Sequence, residues 1–116
     1  MSQYTTPIKH QGQDYKFVIG LDRRLEEVFF QLFTPEDDGP PSYSSLYGMT
    51  MEDAFEEAFG QPLSALRSCL APALDALGAE MRSYFEPAQA ALQGIAPVEP
   101  NTCKTFSQVE LPALSH

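Results

Sequence analysis

Carboxylates are the side chains whose number and spacing invite a chemical reading. Glu52, Asp53, Glu56 and Glu57 fall at i, i+1, i+4 and i+5, so on a helix their heads gather over about one turn. A second acidic run, Glu36, Asp37 and Asp38, lies upstream. Carboxylates gathered this way attract Lys and Arg on a partner and can imitate a row of phosphates. The competing reading is a solvated outer helix face that serves solubility. The expected partner-binding set is therefore Glu36, Asp37, Asp38, Glu52, Asp53, Glu56 and Glu57, and the partner is a protein with a basic surface.

Other chemistries find less support in the spacing. His10 and His116 stand at opposite ends of the chain, and neither has a Cys or His at metal-ligand spacing. Asp37-Asp38-Gly39 matches only a fragment of a calcium loop. Ser42, Ser44 and Ser45 lack a glycine-flanked nucleophile elbow, and Cys69 has no His or basic residue beside it. There is no glycine-rich phosphate loop. The expectation is no catalytic residue, no metal and no cofactor. An enzyme assembled in space from Asp22, His10 and Cys69 is the weaker alternative. Asp22, Arg23 and Arg24 read as a solvated hairpin tip, with an Arg-based recognition loop as the rival. Tyr43 and Tyr47 either anchor an interface or cover the edge of the core.

The composition agrees with a small acidic domain. The chain has 116 residues, 16 acids against 7 bases, a net charge of −9 and 43% hydrophobic residues. Such a surface repels nucleic acid and anionic lipid, so direct nucleic-acid binding is not expected. Cys69 and Cys103 are too few for a disulfide scaffold; Cys69, in a leucine-rich run, is expected to pack as a small core residue. No apolar stretch approaches the roughly 18 residues of a membrane span. The opening Met1 to Thr6 has no basic or apolar segment, so no signal peptide is expected and the default compartment is the cytoplasm.

Elements to position these groups can be read from periodicity. Tyr15, Phe17 and Ile19 alternate with Lys16, Val18 and Gly20 as in a strand. Residues 28–33 form a second strand with aromatic rings on both faces, so either both are covered or one is displayed to a partner. Residues 20–24 would connect the two. Residues 4–10 form a leading strand, joined through Gly12, with Pro7 favouring an edge. Residues 36–48, rich in Pro and Gly, read as a loop. Thr50 caps a helix whose Met51, Ala54, Phe55, Ala58 and Phe59 follow helical spacing up to Gly60. Leu63, Leu66, Leu70, Leu74, Leu77, Met81 and Phe85 continue a stripe that Pro72 interrupts, giving a kink near Leu70 or two helices over 62–70 and 72–85. Pro87 ends it, and 88–93 forms a short helix closed by Gly94.

The run from Tyr15 to Arg23, then Leu25 and the segment from Phe29 to Phe33, resembles the opening of small proteins encoded on bacterial plasmids and integrative elements. These read aromatic-x-hydrophobic-hydrophobic-Gly-hydrophobic-Asp-Arg, followed by a phenylalanine pair and Gln. The segment from Gln61 to Leu66, with Leu70 and Asp75, is similar to their second half. Leu21 and Arg24 stand where that pattern has Trp and Pro. The resemblance implies a bacterial mobile-element origin; it implies no activity and transfers no functional residue.

The resulting expectation is an α+β fold. An antiparallel meander of two or three strands precedes two to four helices in one domain over 1–95. Residues 96–116 form a flexible, proline-containing tail onto which Val109, Leu111 and Leu114 could clip. Function is expected to be non-enzymatic protein binding that blocks a basic groove of a host protein, with a homodimer built on the 28–33 strand as the alternative.

Overall fold

The computed structural model describes residues 1–111. Three long strands come first: β1 at Gln3–His10, β2 at Gln13–Asp22 and β3 at Glu27–Phe33. They form the expected antiparallel meander. The β1–β2 turn is Gln11-Gly12, with φ of 52° and 76°. Positive φ at both positions matches the right-handed strand twist, and Gly12 adopts it without strain. The second connection falls later than the expected 20–24. Gly20 and Leu21 belong to β2, and the turn is 23–26, held by the Asp22 carboxylate accepting from the amides of Arg24 and Leu25 at 3.1 and 3.3 Å. Side-chain capping of this kind fixes a turn locally.

Cross-strand partners show one continuous apolar face. Tyr4, Ile19 and Phe30 form one row, and Thr6, Phe17 and Leu32 the next. Among the described residues four α-helices follow: α1 at Met51–Phe59, α2 at Leu63–Leu66, α3 at Ala71–Phe85 and α4 at Pro87–Leu92. Ala54, Phe55 and Phe59 of α1, Leu63 and Leu66 of α2, and Ala73 and Leu77 of α3 complete the core with that face. Phe17 meets Phe55 edge-on at 5.0 Å, and Tyr15 meets Phe59 at 4.8 Å. Such pairs add about 0.5–1.5 kcal/mol each beyond their burial. Of the two outcomes at Pro72, the chain takes the break: α2 ends early, and Pro72 sits in the first turn of α3, where its missing N–H costs nothing. No helix among the described residues is long and apolar enough to cross a membrane.

The strand content exceeds the expected two or three. A six-stranded sheet runs β4-β3-β2-β1-β5, with β6 also on β1. β4 at Tyr43–Ser44 rises from the expected loop and pairs Gln31 and Leu32, followed by a 3-10 turn at Ser45–Tyr47. β5 at Cys103–Thr105 and β6 at Val109–Glu110 run parallel to β1, so a segment expected to be flexible tail extends the sheet. Leu111 is buried in the core, and Phe106 and Val109 pack against it. Leu114 lies outside the described residues.

This extension makes β1 an interior strand, against the edge position expected from Pro7. The reconciliation is local. Gln3 and Thr5 exchange hydrogen bonds with the β5 segment, and Lys9 accepts from Leu111 after β6. Pro7 follows the same alternation, so its nitrogen faces the gap between β5 and β6. A strand interrupted there needs no donor from proline.

Gly20 is fixed by close approach. A Cβ there would collide with the Ser2 carbonyl oxygen and lie 2.7 Å from Cζ of Phe29. The Phe29 ring therefore lies against the second face of the sheet over a position that must stay bare.

Candidate functional site

Helix α1 displays its carboxylates as its sequence demands. Thr50 Oγ1 accepts from the Asp53 amide at 3.1 Å, and Gly60, at φ 68°, donates to the Glu56 carbonyl at 2.8 Å. With both ends set and Phe55 and Phe59 buried, Glu52, Asp53, Glu56 and Glu57 all point to solvent. Asp53, Glu56 and Glu57 line an open concavity of about 610 Å³ with Tyr47, Gly48 and Met49. Glu52 stays outside that lining. None of the four pairs with a Lys or Arg among the described residues, where the ion pair is Arg23–Glu80. Carboxylates left unpaired on one open, solvent-exposed surface sum into a negative patch.

The upstream acidic run divides. Asp37 is spent on its own loop: its carboxylate accepts from the amides of Thr34 and Ser42 and from Ser42 Oγ, each at 2.8 Å. The Thr34 amide first, and Ser42 after it, hold the Asp37 carboxyl below its ordinary 3.8. Glu36 accepts from Thr34 Oγ1 at 3.1 Å, and Asp38 is exposed. The loop and the helix nonetheless act on one point. The Tyr43 phenol is pushed up, mainly by burial and then by the charges of Glu57, Tyr15 and Asp37.

The serines of this loop are structural. Ser42 serves Asp37, Ser44 Oγ accepts from the Leu46 amide, and Ser45 Oγ accepts from the Phe30 amide on the edge of β3 at 3.2 Å. Tyr47, 56% exposed, donates to the Pro41 carbonyl and stands at the concavity. Tyr43 covers the core edge instead. His10 is buried against Tyr15 and Phe59, and Cys69 and Cys103 are free thiols. Asp22, His10 and Cys69 are each in separate surroundings: the β2–β3 connection, an aromatic seam, and the turn between α2 and α3, where Cys69 packs half-buried against the core. No group of three or more His, Cys, Asp or Glu is placed to hold a metal among the described residues.

Two features go beyond the sequence reading. The first is a buried polar network. Glu80, fully buried in α3, accepts from Arg23 Nε at 3.1 Å and from the Tyr4 hydroxyl at 2.9 Å. Arg23 also donates to the Val98 carbonyl and stacks 4.9 Å over the Tyr84 ring. Arg23 is thus a clamp between the β2–β3 turn, α3 and the 95–102 connection, and not the solvated tip expected. Burial, then Glu80, pushes the Tyr4 phenol up to about 12. The second feature is an apolar cleft of about 410 Å³ at the free end of β3, walled in part by Leu25, Val28, Phe29 and Leu46. The aromatic residues on both faces of 28–33 were its trace in the sequence.

Searches against family models, curated proteins and solved structures find no match to this chain.

Proposed function

We propose that the protein is a non-enzymatic interaction module that docks a negatively charged concavity onto a basic surface of a protein partner. The observation that carries this reading is the gathering of Asp53, Glu56 and Glu57 beside Tyr47 and Met49, with no Lys or Arg paired to them among the described residues. Carboxylates supply steering and register, while an exposed tyrosine and a methionine supply adaptable contact area. Asp38 extends the same field from the loop, and Asp37 shapes the loop that presents it. In keeping with the resemblance to mobile-element proteins, the partner is a host protein whose basic groove the module covers.

The test is affinity capture from the native host with the wild-type chain and with Asp53→Lys/Glu56→Lys/Glu57→Lys, at low and high salt. The expected result is a complex weakened by salt and lost on charge reversal, with the far-ultraviolet dichroism unchanged. Capture that survives the reversal would overturn the proposal. A homodimer through β3 is the second reading, favoured by the exposure of Val28 at 39%. Light scattering at micromolar concentration separates the two, since a monomer removes it.

A further inference from the structure

We infer that the cleft at the open end of β3 receives a short extended segment of a protein partner, apolar at its centre and flanked by Lys or Arg. This surface is distinct from the acidic concavity, although the 3-10 turn at Ser45–Tyr47 separates the two: Leu46 walls the cleft and Tyr47 the concavity.

The backbone supplies the first argument. β4 pairs only Gln31 and Leu32 of β3. At Phe30 the partner strand is replaced by a side chain, because Ser45 Oγ accepts the Phe30 amide at 3.2 Å and approaches its carbonyl at 3.5 Å. Outward-facing groups alternate along a strand, so the next to face out is Val28. Among the described residues no strand lies beside it. An extended chain placed there would exchange main-chain hydrogen bonds with Val28, and Ser45 would stop it from running further. The site therefore measures a few residues only.

The side chains supply the second argument. Leu25 is 58% exposed and Leu46 83%, around a pocket that also holds the half-buried Phe29. An apolar side chain entering between them removes apolar surface from water. The choice of occupant follows from charge. Asp22 and Glu27 border the cleft and Glu26 adjoins Glu27, three carboxylates against the exposed Arg24 of the same turn, since Arg23 is committed to Glu80 and the Met1 amine at the lining donates to Asn101 Oδ1. A second copy would set this acidic end against its equal in a chain of net charge −9. A segment bearing Lys or Arg on either side of its apolar residue complements it.

The probe is a capped pentapeptide, Lys-Val-Leu-Val-Lys, titrated into the ¹⁵N-labelled full chain. Shifts should concentrate at residues 25–29 and 45–46, with slowed amide exchange at Val28. Leu46→Asp, at a site exposed enough to leave the fold intact, should weaken binding at least tenfold. Replacing both peptide lysines by Glu should do the same. The Asp53→Lys/Glu56→Lys/Glu57→Lys variant should bind the peptide within about twofold of wild type, so failure of the concavity reading leaves this one standing. Absence of binding, shifts elsewhere, no protection of Val28, or indifference to Leu46→Asp or to the peptide's charge would each overturn the inference. So would a dimer in solution that buries Val28.

Discussion

The molecule uses carboxylates in two opposite ways. In α3, Glu80 is completely buried and accepts from Arg23 and Tyr4. On α1, Asp53, Glu56 and Glu57 stand in solvent with no cation beside them among the described residues. A buried charge without partners would be prohibitive, so Glu80 commits the β2–β3 turn, β1 and α3 to one arrangement. An exposed charge without partners costs little and stays available to another molecule. The difference teaches that the count of acids says nothing about their use; burial and pairing do.

The sharpest way to break this comparison is Glu80→Ala. It strands Arg23 beside an apolar void and should lower unfolding free energy by about 3–5 kcal/mol, read by urea denaturation. A loss under about 1 kcal/mol would mean that the buried pair is not a clamp. Tyr4→Phe removes one hydrogen bond to the same carboxylate, and a loss of about 1.5–3 kcal/mol is expected in the same assay.

The Tyr4 phenol also predicts an alkaline effect. Its pKa rises from 10.0 to about 12 because burial and Glu80 disfavour the phenolate. A group raised on folding contributes its stability in full below the unfolded value and loses it as pH climbs through the folded value. Wild-type stability should therefore fall between pH 10.0 and about 12 more steeply than that of Tyr4→Phe. Parallel curves in urea midpoints would remove the assignment.

Smaller effects belong to the exposed region. Thr50→Ala takes away the cap at 3.1 Å that starts α1 and should cost about 1 kcal/mol. Glu56→Lys with Glu57→Lys should leave stability within about 0.5 kcal/mol while abolishing partner capture. A large stability change there would show that these carboxylates hold the fold.

Helix α1 was legible because everything that makes it is local. Thr50, the apolar spacing of Met51 to Phe59 and Gly60 lie within one short window. The hairpin turn at Gly12 and the break at Pro72 were legible for the same reason. β5 and β6 were not, since strands of three and two residues are too short to show a period. Pro7 pointed correctly to a missing donor, but the sheet met that constraint by dividing the neighbouring strand. The acidic run at 36–38 read as one unit, whereas Asp37 turned inward to three donors and left Asp38 outside.

By itself the sequence determined the acidic surface, the three long strands, the capped helix and the row of carboxylates along it, because charge, periodicity and capping act between residues near in sequence. Only the tertiary structure decided that Arg23 meets Glu80 across 57 residues, that the segments 103–105 and 109–110 join the sheet, and that Leu46 and Val28 wall one cleft. Those outcomes depend on which surfaces pack when the sheet and helices close on one core, and that choice is made by long-range burial, where local pattern carries no information.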